Sequence, residues 1–455
     1  MKNKLPEALI ELADFLGKEA TLYAVGGSVR NFLLGLGFDD IDITSALPPS
    51  LLIEKLKGSK FKVADSNLRV GTVIVTSCDF KAEYTCFRQD SYPVGGAHTP
   101  SKVEFCSDIT LDAKRRDFKA NAVYYDISKG EFVDPLGGIE DIKNKILSAT
   151  VAPKKVFSED GLRILRLCRF AAELGFDIED GTMEWAIKMS DNVLDISKER
   201  IATELKKILS ADVRYSSLNN EYAHYRGLKL LDQTTVLTKL FPVLKEGKGV
   251  RQNPKYHDYD VFEHIMQTVK FAPPSVRLAA LFHDVAKPMC LARDGNMYNH
   301  PQESARIARE LLGAKGLKLS NAEVEKICRL IENHMYNLLN ETKTPKIRWF
   351  LAKNHDIAYD LISLIRADAM AAKGVTSPSA DRMESLFNDM LKAGVPLCVK
   401  ELKIKGEDVL DVRPKMRSEI LNKVWEKSVK YYLLTYEEQL KALGDIKRQI
   451  IKEKK

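Results

Sequence analysis

Apolar positions recur with helical spacing over residues 4–17, then contract into a short run over 22–25 that stops at Gly26-Gly27. This reads as a strand passing through a glycine turn into a short helix that ends near Leu34, because residues without side chains punctuate the change of period. A second strand is expected over 40–44, followed by a helix begun by Pro48-Pro49. Further β-rich stretches at 61–63, 71–76 and 81–87 lead into a loop rich in Gly and Pro over 88–101. From about Phe157 the spacing turns helical and stays so almost to the end, with breaks expected at 175–181, 191–195, 211–213 and 247–254. The pattern therefore predicts an α+β protein with a small mixed-sheet head and a mostly α-helical remainder. No fixed-period repeat interrupts it.

A chain of 455 residues exceeds what one core usually serves. Four domains are expected: 1–150, 151–250, 251–392 and a basic helical tail over 393–455. With 45% hydrophobic and 29% charged residues the composition is that of an ordinary globular protein. No apolar run nears the roughly 18 to 20 residues of a membrane span, and residues 1–20 carry acids in an amphipathic pattern, so a cytoplasmic protein with no membrane partner is expected. Seven scattered cysteines, never spaced Cys-x-x-Cys, read as buried free thiols. A net charge of +7 does not identify a nucleic-acid partner by itself. Residues 400–455 hold fifteen Lys and Arg against ten Asp and Glu, an excess that suits either a polyanion or a solvated helical surface.

Three segments carry chemistry. Asp40-Ile41-Asp42 on a strand would turn both carboxylates to one side and Ile41 to the core, which is a divalent-metal edge for phosphoryl chemistry. Gly26-Gly27-Ser28-Val29-Arg30 sets Gly27 backbone and the Arg30 guanidinium where a triphosphate could sit. Glu83, in a neighbouring β segment, is the candidate third carboxylate. Each element alone also fits a bland role: a turn, a solvated loop, an exposed strand acid.

Arg115-Arg116-Asp117-Phe118 stands at an expected helix-to-strand junction, where the arginines could hold triphosphate or pair on the surface. Ser158-Glu159-Asp160 is read as opening a helix with Arg163, Arg166 and Arg169 along one face and apolar residues on the other. Asp160 can accept from the exocyclic amine of cytosine or adenine while Arg163 donates to the acceptor beside it, whereas uracil and guanine present a carbonyl instead. The alternative is a capped helix with solvated arginines.

Farther on, His264, His283-Asp284, His300, His334 and Asp368 resemble an HD domain, whose adjacent His-Asp pair binds metal with distant helical partners. Satisfied core histidines are the alternative.

The segments Gly26-Gly27-x-x-Arg30, Asp40-x-Asp42, Glu83-x-x-x-Phe87-Arg88, Arg115-Arg116-Asp117-Phe118-x-x-Asn121-Ala122 and Glu159-Asp160-x-x-Arg163-x-x-Arg166-x-x-Arg169-Phe170 resemble, in order, the bacterial-type (class II) CCA-adding and poly(A) polymerase family over roughly the first 210 residues. The resemblance implies a nucleotidyltransferase head, a nucleotide-selecting neck, an HD body and an RNA-binding tail. It implies Mg2+ at Asp40 and Asp42, two ions in all, with Glu83 beside them. It further implies nucleotide contacts from Gly27, Arg30, Arg116, Asp160, Arg163, Arg166 and Arg169, and a second metal site, taking a transition metal, at His264, His283, Asp284, His300, His334 and Asp368. Partners so implied are tRNA, CTP and ATP. Asn31 departs from the Asp usual after the Val-Arg pair, Gly95-Gly96-Ala97-His98 replaces a loop usually richer in acid and arginine, and Leu402-x-Ile404-x-Gly406-x-Asp408 lacks the Pro-Gly turn often seen after it. The rivals are poly(A) addition, CC-only or A-only addition, an HD phosphohydrolase, and a noncatalytic RNA-binding protein.

Overall fold

The computed structural model describes residues 5–17, 19–38, 40–93 and 100–453, so the Gly95 to His98 loop lies outside the described residues. The chain divides into two compact units, Met1–Pro242 and Val243–Lys455.

In the first unit, helix α1 (Glu7–Leu16) turns Leu9, Leu12, Ala13 and Leu16 inward. Strand β1 (Tyr23–Val25) follows, then α2 (Gly27–Leu33), β2 (Asp42–Ser45) and α3 (Pro49–Leu56), the last with proline at its start. The strands β3 (Lys62–Asn67), β4 (Thr72–Thr76) and β5 (Lys81–Cys86) come next, then β6 (Arg88–Ser91) and β7 (Lys102–Phe105). Helix α4 (Ile109–Lys114), strands β8 (Tyr124–Asp126) and β9 (Glu131–Val133), and α5 (Gly138–Asn144) complete the head. A seven-stranded mixed sheet runs β3-β4-β5-β2-β1-β8-β9, with β2 antiparallel to β1 and parallel to β5. The expected loop over 88–101 is partly strand: β6 pairs antiparallel with β7, Arg88 opposite Phe105 and Ser91 opposite Lys102.

Two expectations shift here. Strand β2 begins at Asp42, and Asp40 stands two residues outside it with φ 49, in the left-handed region that short polar side chains tolerate. The two aspartates therefore do not share a strand face. The helix expected to open at Ser158 is two helices, α6 (Pro153–Glu159) and α7 (Leu162–Leu174), separated by an extended Asp160. Pro153 starts the first, and the Asp160 carboxylate, one residue before the N-cap Gly161 of the second, accepts from the Leu162 backbone N–H at 3.0 Å. The neck continues through α8 (Asp180–Lys188), α9 (Lys198–Ile208) and α10 (Ala211–Arg214), a short helix where a break was expected.

The second unit is helical. Its C-terminal portion has its own core of Leu402, Ile404, Val409, Ile420, Val424, Leu443, Ile446 and Ile450, which absorbs the apolar positions of the tail motif. Asp408 of that motif accepts from the Lys405 backbone N–H at 2.7 Å and the Tyr436 hydroxyl at 2.6 Å. All seven cysteines are free, with Cys86, Cys168, Cys290 and Cys328 buried, Cys106 and Cys398 partly so, and Cys78 exposed rather than buried as expected. No helix among the described residues is long and apolar enough to cross a membrane.

Candidate active site and candidate metal centre

The turn from β1 to α2 requires glycine at its first position. Gly26 has φ 81, and a Cβ there would stand 3.4 Å from the Asp42 carboxylate and 3.9 Å from the Arg116 guanidinium. The bare backbone thus lets an acid from β2 and a cation from the α4 end meet over the turn. A cavity of about 310 Å³ opens at this point. Its lining includes Gly26, Gly27, Asp42, Arg116, Asp117 and Asn121 from the head and Asp160, Arg163, Arg166, Phe170 and Arg200 from the neck. A second cavity, of about 350 Å³, shares Asp42 and Arg116 and adds Glu83, Thr72, Thr85 and Arg88.

Asp42 pairs in register with Glu83 across the parallel β2–β5 ladder. Loss of bulk water within the cavity walls raises the Asp42 carboxyl to about 6, Glu83 and Asp40 push it in the same direction, and Arg116 and Arg166 oppose them. Glu83 and Asp40 thus both act electrostatically on Asp42, but Asp40 lines neither cavity, so the structure does not gather the three acids predicted from sequence into one close cluster.

The basic groups are more tightly held than a solvated stripe would be. Arg116 bonds Asp112 at 3.0 Å and lies over the Tyr124 ring. Burial by itself would push the Asp112 carboxyl up, but Arg116, Arg115 and the Tyr124 hydroxyl bring it down to about 2. Arg163, 7% exposed, commits three of its five N–H donors to the Val156 carbonyl at 3.1 Å, Glu159 at 3.0 Å and the Arg115 carbonyl at 2.7 Å. Arg169 is buried between Glu204 and Glu173, at 2.6 and 2.9 Å, and does not line the cavity. Arg166 bonds Asp117 at 2.7 Å with its side chain 34% exposed. The three arginines are thus not one exposed face, because α7 packs against α9 on one side and the Asp117 segment on another, and acids on both meet them. Arg30 is buried as well, against Asn121 and Asn31, and stands behind Gly27 rather than in the cavity lining.

Asp160 faces the cavity with Arg200 of α9 at 2.8 Å. Arg200, Asn121 and Phe170 were not singled out from sequence. Asn121 and Phe170 sat inside quoted motifs, but Arg200 lies forty residues beyond Asp160 with no local pattern to mark it.

In the second unit the helices Val261–Phe271, His300–Leu312, Asn321–Asn333 and Ala358–Lys373, with the turn after Arg277–Phe282, bring six side chains together. His264 lies 2.9 Å from Asp368 and 3.2 Å from Asp284; His283 lies 3.3 Å from Asp284; His300 and His334 lie 3.0 and 3.6 Å from its other oxygen. Two donor groups result: His264, His283 and Asp368, and His283, Asp284 and His334. The Nδ1 atoms of His283, His300 and His334 sit on the carbonyls of Ala280, Met297 and Ile331 at 2.8, 2.6 and 2.7 Å. With Nδ1 donating, each Nε2 aims a lone pair at buried carboxylate oxygens, and both Asp284 oxygens are buried without a well-angled hydrogen-bond donor. Such an arrangement calls for a shared cation or proton, and it fits a divalent metal. Lys287 touches Asp284 at 2.6 Å, and the His257 ring stands edge-on to His264 at 4.8 Å; neither was singled out from sequence.

Comparison with known proteins bears on both sites. Residues 22–148 match the poly A polymerase head domain, 175–248 the probable RNA and SrmB-binding site of polymerase A, and 260–377 the HD domain. A CCA-adding enzyme of Lactobacillus helveticus is 39% identical over 213 residues, 45% of this chain and 51% of the relative. One from a Geobacillus species is 38% identical over 256 residues, 55% of this chain and 58% of the relative. The alignments span about half the length of these curated relatives. Among solved structures, the Bacillus stearothermophilus CCA-adding enzyme in complex with CTP has a TM-score of 0.68 at 22% identity, covering 98% of both chains. The Thermotoga maritima CCA-adding enzyme complexed with tRNA has 0.61 at 19%, covering 98% of this chain and 96% of that one. These likenesses establish the fold. The matches to the polymerase head domain, to the probable RNA-binding segment and to the HD domain follow one another along this chain in the order in which the sequence motifs stand.

Proposed function

We propose that this chain adds C, C and A to the 3′ end of tRNA from CTP and ATP without a nucleic-acid template. The observation that carries the reading is the cavity in which the Asp42 carboxylate and the Asp160–Arg163 pair face one space, joined by Arg116 and Arg166. The relatives named CCA-adding enzymes support it. Asp160 accepts from the amine at cytosine N4 or adenine N6, and the Arg163 donors not committed to protein carbonyls and Glu159 reach the ring acceptor beside it. Arg116 and Arg166 hold the triphosphate, anchored by Asp112 and Asp117, with Gly27 letting the phosphates close on the backbone. Two Mg2+ ions on Asp40 and Asp42, with Glu83 beside them, would supply the Lewis acidity that lowers the pKa of the RNA 3′-hydroxyl and steadies the departing pyrophosphate.

The working domains are a head over 1–150, a nucleotide-selecting neck over 151–250, an HD body over 251–392 and an RNA-gripping tail over 393–455. The test is a tRNA transcript lacking its last three residues. CTP alone should add two cytidines and stop, and CTP with ATP should complete the end. A run of adenosines would mark poly(A) addition instead, and growth that ends after two cytidines with both nucleotides present would mark a CC-only enzyme.

The histidine cluster favours a second reading alongside the first, a metal-dependent phosphohydrolase activity of the HD body. His264, His283, Asp284, His300, His334 and Asp368 would hold a transition metal. Purified protein should then cleave a generic phosphodiester with Mn2+, Ni2+ or Co2+, and His283→Ala should abolish that cleavage; absence of turnover with all three metals removes the reading.

A further inference from the structure

Arg30 is a cation with almost no exposed surface, 1%, whose guanidinium bonds only amide oxygens. Burying such a group costs stability unless it is paired and hydrogen-bonded, and the bonds Arg30 makes fix its neighbours. One Nη donates to the Asn121 side-chain oxygen and the other to the Asn31 side-chain oxygen at 2.9 Å. A positive charge on each oxygen sets the polarity of both amides, since a flipped amide would turn N–H against N–H. Asn121 must then point its nitrogen at Asp117, where it donates to Oδ1 at 3.0 Å. That oxygen also accepts from the Phe118 backbone N–H at 2.8 Å, while Oδ2 receives Arg166.

At the other end Asn31 points its nitrogen at the Tyr215 hydroxyl, 3.1 Å away and 184 residues later in the chain. Tyr215 follows α10, so the line begins in the neck, crosses α2 and the Asn121 turn of the head, and returns to the neck at Arg166. The Phe170 ring closes the loop, with the Arg30 and Arg166 guanidinium carbons 4.9 and 5.1 Å from its centroid.

We propose that Tyr215 and Asn31 are positioning residues for the nucleotide cavity: together they hold Arg30, and through Asn121 and Asp117 they fix the guanidinium of Arg166 where it meets a triphosphate. This rests on the reading of the cavity as a nucleotide site. Because the line ends on a phosphate-directed arginine and not on Asp160 or Arg163, breaking it weakens CTP and ATP alike and leaves their ratio unchanged.

The test is equilibrium binding of CTP and of ATP, with Mg2+, to the full chain, alongside the melting temperature and the steady-state kcat and KM for nucleotide. Tyr215→Phe keeps the ring and removes the hydroxyl; it should weaken both nucleotides about five-fold and raise both KM values equally, with kcat within about two-fold, the effect of one net hydrogen bond. Asn31→Leu, which loses both contacts, should weaken binding more. Asn31→Asp, whose carboxylate accepts from Arg30 and from the Tyr215 hydroxyl, should bind as the parent does. Unchanged affinity in Tyr215→Phe overturns the proposal, as does weakening of only one nucleotide, or a loss in Asn31→Asp equal to that in Asn31→Leu. A parent protein that binds neither nucleotide overturns the nucleotide reading and this proposal together, whereas binding without transfer overturns only the reading of the reaction.

Discussion

Asp160 is where a protein side chain would replace a template base, and the price of that economy is that it must be held still. Arg200 and the Leu162 N–H hold one interaction on each of its oxygens. Asp160→Ala should therefore reduce the preference for CTP over UTP by about ten- to a hundred-fold, the worth of one good base contact, measured as the ratio of kcat/KM values. An unchanged ratio would remove Asp160 from base reading. Asp112 makes a separate, structural prediction. Its folded carboxyl titrates at about 2, below the ordinary aspartate value, so its ion pairs contribute fully above about pH 4 and are lost as pH falls from about 4 to 2. Asp112→Asn should destabilise the chain at pH 7 by about 3 kcal/mol, and the difference from the parent should close in that acid window, as read by denaturant unfolding at each pH.

At the scale of elements, sequence pattern located the β1–glycine–α2 unit and the chemistry-bearing segments because each rests on local signals: a change of period, a glycine pair, an acid two residues from another. It misplaced what tertiary contacts decide. Asp40 lies outside β2, since its left-handed backbone has no signature in a run of acids. Arg163 and Arg169 read as a face although Glu159 and Glu173 stand four residues from them, a spacing legible in the sequence, whereas Glu204 of α9 meets Arg169 only through tertiary packing. The β6–β7 pair hid beneath turn-rich composition. Gly161 gives a test of how the α6–α7 break is held. A Cβ there would fall 2.5 Å from the Asn192 carbonyl oxygen, so Gly161→Ala must push the two backbone segments apart. It should cost about 1–3 kcal/mol of stability and displace Asp160, seen as a lower melting temperature together with weaker CTP binding; a variant matching the parent in both would mean that the break tolerates movement.

For the whole molecule, the first compact unit carries the cavity lined by Asp42, Asp160 and arginines, and the second carries an imidazole-rich cluster suited to transition metals. His283→Ala should lower bound transition metal, read by elemental analysis after dialysis, while nucleotide addition stays within about two-fold, because His283 lies in the second unit and the transfer cavity is lined by the first. On the proposed reading, Asp42 is the residue on which transfer depends most. The direct test is the single-turnover rate of CMP addition to a tRNA lacking its CCA end by Asp42→Asn, at saturating CTP and Mg2+. Loss of metal-supplied stabilisation worth several kcal/mol should slow addition by about a thousand-fold or more, and a fall of less than about ten-fold would contradict it.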